Sequence, residues 1–271
     1  MQNRHLDRYT YFCESAQTSQ DFYISYLGRF IDITSSSKVL EIGCGEGGNL
    51  LPFAQKGCAV VGIDVCISRI NEAIDFFSRK DKAGKFICDD FFCLDIRDKF
   101  DIILIHDVIE HINLSQKKFF LIKAKSLLKE NGVIFLGFPA WQMPFGGHQQ
   151  ICKNKIVSHL PFIHLLPSFL YKTVLKLFGE NSGCIKELLS IKQTKITIEL
   201  FEGIIAESNV NIVDRCLWFI NPHYKQKFNL KPRRIWGILE NIKYVRNFFC
   251  TSCFYICLLY TSPSPRDYAA S

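Results

Sequence analysis

The 271-residue sequence lacks the features of several protein classes. It has no apolar run of the roughly 18 residues that span a bilayer. Its first ten residues include charged side chains and no hydrophobic stretch, so we expect no signal peptide. Charged residues make up only 22% of the chain and hydrophobic residues 48%, which excludes a disordered or fibrous protein. We therefore expect a globular, cytoplasmic protein whose twelve cysteines are reduced and buried.

Positive charge is concentrated in the second half of the chain. Residues 1–150 contain 17 Lys and Arg against 18 Asp and Glu, whereas residues 151–247 contain 15 against 7. The second half could therefore meet an acidic partner, and a solvated basic surface is the alternative. No Lys/Arg cluster is dense enough to indicate nucleic-acid binding, and we expect none.

Short apolar segments alternate with helix-like segments between residues 38 and 139. The pattern predicts strands at 39–42, 59–63, 85–88, 101–105 and 132–136, and helices at 67–79 and 115–130. Such alternation is typical of β-α-β units. We therefore predict an α/β fold, a Rossmann-like, doubly wound and mostly parallel sheet with both faces covered.

The pattern changes after Pro139. Residues 140–190 are predicted to be an insertion after the fifth strand, followed by a helix at 197–208 and a strand at 211–219. A last apolar segment, 247–257, is predicted to be a C-terminal antiparallel strand at the edge of the sheet. A helix at 17–30 belongs to a leading segment 1–35, which precedes the main domain 36–257. Residues 258–271 continue no pattern and resemble sequencing-adaptor read-through, so we expect a non-native tail.

A glycine-rich loop follows the first predicted strand, in the sequence VLEIGCGEGGNL at residues 39–50. Glycines let backbone amides approach a ligand closely, and Gly43, Gly45 and Gly48 also match the dinucleotide fingerprint. Glu41, two residues before Gly43, would repel the pyrophosphate of a dinucleotide. The same carboxylate would favour the ammonium group of S-adenosylmethionine, so the loop favours a methyl donor over NAD.

With this loop the chain resembles the class I S-adenosylmethionine-dependent methyltransferases, in particular the small-molecule branch with the ubiquinone- and menaquinone-type enzymes. The resemblance covers residues 36–140. It implies that Glu41 belongs to the acidic cofactor loop of the family. It also implies that Gly43, Cys44 and Gly45 pack against the methionine part of the cofactor.

The resemblance implies further cofactor-binding residues after the next two strands. Asp64, which lies one β-α-β step after Glu41, matches the acidic residue that accepts both ribose hydroxyls. Asp90 matches the residue that contacts the adenine amino group, and Phe91 flanks the ring. Asp89 stands where the family often has a small residue, which leaves open which aspartate points into the site. Helix capping without a ligand is the alternative for Asp64 and Asp90.

Three histidines are candidate general bases, because a neutral imidazole can accept a hydroxyl proton near pH 7. His111 belongs to a Glu-His pair that resembles a signature of the family, and His106 stands where the family lines the methionine end of the cofactor. His148 follows two glycines in the insertion. A structural role is the alternative for His111 and His148, and no base is required if the acceptor atom is a carbon or already ionised.

The insertion follows the fifth strand, so it can cover the acceptor site. Residues 159–179 are apolar and aromatic and include Lys172 and Lys176. This segment could close over a lipid-like acceptor or contact a membrane surface, and core packing is the alternative.

Several motifs are absent. Residues 106–109 contain neither the Asn-Pro-Pro-Tyr tetrapeptide of amino-methylating enzymes nor the Pro-Cys pair of cytosine carbon-5 methylation. The cysteine pair in Cys250–Cys253 lacks a second ligand pair, so we expect no metal site. The sequence thus favours methyl transfer from S-adenosylmethionine to a small-molecule or lipid-like acceptor. A non-catalytic S-adenosylmethionine-binding protein and an NAD-dependent oxidoreductase are the alternatives.

Overall fold

The computed structural model describes residues 7–259. Residues 1–6 of the predicted leading segment and residues 260–271 of the predicted tail lie outside the described residues. The strands are β1 (Lys38–Ile42), β2 (Ala59–Asp64), β3 (Lys85–Cys88), β4 (Phe100–His106), β5 (Leu128–Phe138), β6 (Val210–Ile220), β7 (Arg233–Arg234) and β8 (Ser252–Leu259).

Helices connect and flank these strands. The α-helices are α1 (Arg8–Thr18), α2 (Ile24–Leu27), α3 (Leu51–Gln55), α4 (Ile67–Arg79), α5 (Leu114–Ser126), α6 (Lys155–His159), α7 (Ser168–Leu177), α8 (Ser182–Thr194), α9 (Ile198–Glu207), α10 (His223–Phe228), α11 (Gly237–Asn241) and α12 (Arg246–Phe249). A π-helical turn, Ser19–Tyr23, joins α1 to α2, and 3₁₀ turns are found at Gly48–Leu50, Ile109–His111, Gln149–Ile151 and Ile163–Leu165.

The eight strands form one sheet in the order β3-β2-β1-β4-β5-β8-β6-β7. Strands β1 to β5 pair in parallel, and β8, β6 and β7 continue the sheet in antiparallel pairs. The predicted Rossmann-like, mostly parallel α/β fold with an antiparallel edge is therefore confirmed.

The position of the last strand corrects the prediction that segment 247–257 forms the edge itself. Strand β8 lies between β5 and β6, and the two-residue β7 is outermost. The residues of β8 from Cys253 to Cys257 are all buried, as expected for a strand with neighbours on both sides and both faces covered. The strand also extends to Leu259, two residues beyond the predicted domain boundary.

Two predicted helices have different bounds in the structure. The leading helix begins at Arg8 rather than Gln17, because the Asp7 side chain accepts a hydrogen bond from the amide of Thr10 at 3.0 Å and caps it. The helix predicted at 115–130 ends at Ser126, because Leu128 already pairs with Phe100 at the start of β5.

Side chains on the two faces of the sheet form two hydrophobic cores. One core packs β1, β4 and β5 against α5 and α9, and the other packs the same strands against the leading helix, α3 and α4. The insertion has a small third core, formed by Cys152, Val157, Tyr171, Leu175, Ile185 and Leu188. The insertion therefore folds partly on its own side chains and reaches Thr194, the end of α8.

All twelve cysteines are free thiols. The prediction that they are buried is wrong for Cys88 and Cys93, which are exposed on and after the edge strand β3. No helix within residues 7–259 is long and apolar enough to cross a membrane.

Candidate active site

The carboxyl ends of β1 to β4 meet at one edge of the sheet, where the loops after them line two neighbouring cavities of about 530 and 90 Å³. Gly43, Arg69 and Asp107 line both cavities. The predicted site residues Asp64, Asp90, Phe91 and His111 line the larger cavity, and Cys44, Gly45 and His106 line the smaller one. The structure thus brings most of the predicted cofactor-binding residues into one cleft.

The glycine loop has a conformation that other residues rarely adopt. Gly43, Gly45 and Gly47 have φ angles of 75°, 52° and 79°. A Cβ atom on Gly43 would lie 2.3 Å from Cγ2 of Val108, so this position also has no room for a side chain. The amides of Gly43 and Cys44 both donate to the carbonyl of Ile63, at 2.7 and 2.9 Å, which holds the loop against the end of β2.

Glu41 is the one predicted cofactor-binding residue that lines neither cavity. Its side chain is buried behind the loop, where Oε1 accepts a hydrogen bond from Nδ2 of Asn49 at 2.7 Å. Oε2 has no partner among the described residues, and burial raises the pKa of this carboxyl to about 8. A positive charge placed near Glu41 would stabilise its ionised form.

Asp64 connects the glycine loop to the next helix. One carboxylate oxygen accepts the amide of Gly45 and the other accepts the amide of Cys66, both at 2.9 Å. Each oxygen keeps one more lone pair, so the carboxylate can still accept hydroxyl groups from the cavity. The capping alternative and the ligand-binding role are therefore compatible at this residue.

Asp89 and Asp90 are both exposed and both line the larger cavity. Asp90 accepts the amide of Phe92 at 2.9 Å, and Asp89 accepts the amide of Asp90 at 2.7 Å. The ring of Phe91 is buried edge-on against Phe120, with 5.2 Å between the ring centroids. This end of the cleft thus offers carboxylates beside aromatic rings.

Both ring nitrogens of His106 have partners. Nε2 lies 2.9 Å from the hydroxyl of Tyr23, and Nδ1 lies 3.3 Å from a carboxylate oxygen of Asp107. Asp107 has a φ of 55°, a conformation that is uncommon for a residue with a side chain. The geometry therefore supports a positioning role for His106 at the smaller cavity and leaves no nitrogen open for a substrate proton.

His111 and His148 lie together, with 5.1 Å between the ring centroids in an edge-to-face arrangement. Burial, followed by the nearby His148, lowers the pKa of His111 to about 4, and burial also lowers the pKa of His148. Both imidazoles are therefore neutral at pH 7, and the lowered pKa makes each a weaker base than an exposed histidine.

Glu110, which we did not predict as a site residue, is buried beside the two histidines. Neither of its carboxyl oxygens has a hydrogen-bond partner among the described residues, although Oε1 lies 4.0 Å from Nε2 of His111. Burial raises the pKa of this carboxyl well above the usual range. One potential ligand atom each from Glu110, His111 and His148 lies within 4.8 Å of the others, so these residues could hold a cation. The expectation that the protein has no metal site stays a prediction.

Sequence reasoning also missed Tyr23, Arg69 and Asp107. Of these three, only Asp107 could have been found from the sequence, because it directly follows the fourth strand. Tyr23 and Arg69 lie in helices of unremarkable composition, and only the packing of these helices against the loop brings them to the cleft.

A third cavity of about 700 Å³ lies between the start of the insertion and α10. It is lined by Met143, Pro144, Phe145, Gln150, Lys155, Ser158, His159, Tyr224, Lys227, Phe228, Leu230 and Thr251. The amide of His148 donates to the carbonyl of Phe145 at 3.1 Å, so one wall of the cavity belongs to the loop that carries His148.

Comparison with known families and proteins adds independent findings. A family model described as "Methyltransferase domain" matches residues 39–132, about a third of the chain. A ubiquinone biosynthesis O-methyltransferase of Pelagibacter ubique is 36% identical over 102 residues, which cover 36% of this chain and 40% of that protein. The enzyme of the same name from Nitrobacter winogradskyi is 30% identical over 106 residues, 39% of this chain and 40% of that protein.

The chain thus spans about two fifths of the length of these curated relatives. Solved structures match over a longer range. A S-adenosylmethionine-dependent methyltransferase from Clostridium acetobutylicum has a TM-score of 0.58 at 13% identity, covering 90% of this chain and 91% of that one. Magnesium protoporphyrin IX methyltransferase from Synechocystis, with bound SAH (S-adenosylhomocysteine), has a TM-score of 0.56 at 16% identity, with coverages of 91% and 83%. These structural likenesses show the fold.

Proposed function

We propose that this chain is a class I S-adenosylmethionine-dependent methyltransferase and that it transfers the methyl group of S-adenosylmethionine to a small-molecule acceptor. The observation that carries the proposal is the glycine loop, which is bound to Asp64 through the amide of Gly45 at the carboxyl ends of adjacent parallel strands. Bound there, S-adenosylmethionine supplies a methyl group activated on a sulfonium.

The residues of the larger cavity fit the nucleoside part of this cofactor. Asp64 has lone pairs left for the ribose hydroxyls, and Asp90 or Asp89 can accept from the adenine amino group. Phe91 and neighbouring rings provide an apolar wall. This assignment gives Asp64, Asp90 and Phe91 the roles that the sequence resemblance implies.

The smaller cavity fits the amino-acid part. Its wall has both signs of charge, with Arg69 on one element and Asp107 on another. A zwitterion can place its carboxylate near the guanidinium and its ammonium near the carboxylate. Gly43, Cys44 and Gly45 then face the methionine chain, and Glu41 supports the ammonium from behind the loop.

We assign the general base to His111 or His148 rather than to His106. His111 lines the cofactor cleft, and its ring packs edge-to-face on that of His148, 5.1 Å between centroids. His106 keeps both nitrogens occupied by Tyr23 and Asp107. Since methyl transfer is an in-line displacement, most of the remaining rate enhancement comes from positioning and from excluding water.

The third cavity and the basic insertion support a lipid-like acceptor used in the cytoplasm near a membrane surface. Helix α7 exposes Phe169 and Leu177 on the same helix as Lys172 and Lys176, a pattern typical of interfacial helices. Sedimentation with vesicles of anionic phospholipid tests this contact. The Phe169→Ser/Leu177→Ser variant should stay in the supernatant if the contact exists.

Calorimetric titration of the full chain with S-adenosylhomocysteine and with NAD tests the cofactor assignment. We expect binding of the first and none of the second. Transfer of labelled methyl from S-adenosylmethionine to a panel of phenols then tests the reaction. Binding of NAD alone would support the oxidoreductase alternative, and a cofactor that binds but is never consumed would support the non-catalytic alternative.

A further inference from the structure

The walls of the third cavity are largely apolar and aromatic. Met143 and Phe145 come from the start of the insertion, and Tyr224, Phe228 and Leu230 come from α10 and the residues after it. Such walls favour an apolar ligand body, and a volume of about 700 Å³ is that of a drug-sized ligand site.

The polar residues of this cavity have one sign of charge. Lys155, Lys227 and His159 line it, and no Asp or Glu is among its described lining residues. Lys155 has no carboxylate partner among the ion pairs of residues 7–259. Nδ1 of His159 lies 2.7 Å from the carbonyl oxygen of Lys155, so the other ring nitrogen, Nε2, takes no part in this contact. The charged positions therefore complement an acid group.

The loop that forms one wall of this cavity also carries one of the paired histidines. The amide of His148 donates to the carbonyl of Phe145, a lining residue, at 3.1 Å, and the ring of His148 contacts that of His111, which lines the cofactor cleft. The third cavity therefore borders the segment that holds His148 against His111.

We propose that the third cavity binds the methyl acceptor and that this acceptor is an amphiphile with one acid group, held by Lys155 and Lys227 while its apolar body packs on Phe145 and Phe228. The inference rests on the proposed function, because it names the substrate class of the same reaction. It also accounts for the excess of positive charge in residues 151–247, part of which lines this cavity.

A matched pair of probes tests the acid group. Binding of 4-octyloxybenzoate and of the uncharged 4-octyloxybenzamide is measured by calorimetry on the full chain with S-adenosylhomocysteine present. We expect the benzoate to bind about tenfold more tightly, through one charge-assisted contact to the exposed Lys155 and one to the half-buried Lys227. In Lys155→Ala/Lys227→Ala the benzoate should lose this advantage and the benzamide should bind as before.

Two control variants distinguish an effect of these two lysines from an effect of the overall positive charge of the protein. Lys56→Ala/Lys82→Ala removes the same charge from exposed positions after α3 and α4, in the parallel half of the fold, and should leave both affinities unchanged. Lys155→Arg/Lys227→Arg keeps the charge and should keep most of the preference. Equal affinity for the two probes in the unchanged protein, or a preference that survives the double alanine substitution, overturns the inference.

The two proposals fail in different ways. If S-adenosylhomocysteine does not bind, the proposed function fails, whereas probe binding can still be measured without it. If S-adenosylhomocysteine binds but the benzoate has no lysine-dependent advantage, only the inference about the acceptor is wrong.

Discussion

The parallel half of the sheet and the insertion that follows it differ in how they build a site. In the parallel half, β1 to β4 bring the ends of four loops to one edge, and backbone hydrogen bonds such as those from Gly43 and Cys44 to Ile63 hold the loops in place. The insertion consists of short helices around a small core of its own. The first region is built for a ligand with a constant shape, and the second can vary with the acceptor.

The two regions also differ in charge. The cofactor cleft is lined by carboxylates from Glu46, Asp64, Asp89, Asp90 and Asp107 and by the guanidinium of Arg69, which lies 3.7 Å from Glu46. The third cavity is lined by two lysines and a histidine. A cationic cofactor and an anionic acceptor would each be attracted to its own part of the site.

The largest expected effect concerns the boundary between the two regions. His111→Ala should lower turnover by about 10²–10⁴-fold if His111 is the base, while binding of S-adenosylhomocysteine stays within about threefold. Gln116→Ala, at an exposed position on α5, is the control and should affect turnover little. Single-turnover kinetics measure the step, and unchanged turnover in His111→Ala would transfer the role to His148 or to no base.

A substitution in the glycine loop tests whether cofactor binding in the parallel half requires a residue without a side chain. Gly43→Ala should reduce affinity for S-adenosylhomocysteine by roughly 100-fold, because the new Cβ would meet Val108 at 2.3 Å and φ is positive. The matched control is Gly203→Ala in α9, where a Cβ meets nothing within 4 Å and should be neutral or stabilising. Near-normal affinity in Gly43→Ala would mean that the loop does not contact the cofactor.

The ribose assignment predicts a smaller loss. Asp64→Ala should weaken binding of S-adenosylhomocysteine by about 1.5–3 kcal/mol, the scale of hydrogen bonds to a charged group. Asp75→Ala, on the outer face of α4, should have no effect because Asp75 pairs only with Arg79 at the surface. Titration calorimetry measures both, and an unchanged dissociation constant in Asp64→Ala would remove the ribose role.

The pH dependence of stability should have opposite signs in the two regions. Burial lowers the pKa of His164, inside the insertion, to about 4. The unfolded chain then binds the extra proton below about pH 6.5, so stability falls as pH falls from 6.5 to 4, by up to about 1.4 kcal/mol per pH unit. Urea unfolding of His164→Asn should show a flatter acid limb.

Glu41, in the parallel half, should act in the other direction. Its pKa is raised to about 8, so the folded chain holds the proton between its ordinary pKa of 4.5 and 8, and stability falls as pH rises through that range. Glu41→Gln should remove this slope, and added S-adenosylmethionine should reduce it in the unchanged protein. An alkaline slope that is the same with and without the cofactor would contradict the role of Glu41 behind the loop.

Much of the parallel half and its cofactor cleft could be predicted from the sequence, because these features depend on local sequence patterns. Alternation of apolar and helical segments indicated β1 to β5. Asp64 and Asp90 could be found because Asp64 ends β2 and Asp90 lies two residues after β3. Glu41 was predicted to face the ligand, yet it lies behind the loop. The sequence of a strand does not determine which residues of other elements its side chains contact. Tyr23 and Arg69 could not be predicted, because they reach the cleft only when their helices pack on the sheet.

The sequence by itself determined the parallel sheet, the glycine loop and the chain positions of the acidic residues, because short apolar runs between helical segments and a glycine cluster after a strand are local features. Only the tertiary structure decided that β8 lies inside the sheet and that His111 meets His148. It also decided that Tyr23 and Asp107 occupy both nitrogens of His106 and that two lysines line one apolar cavity. Each of these depends on contacts between residues far apart in the chain, which are chosen by packing rather than by local pattern.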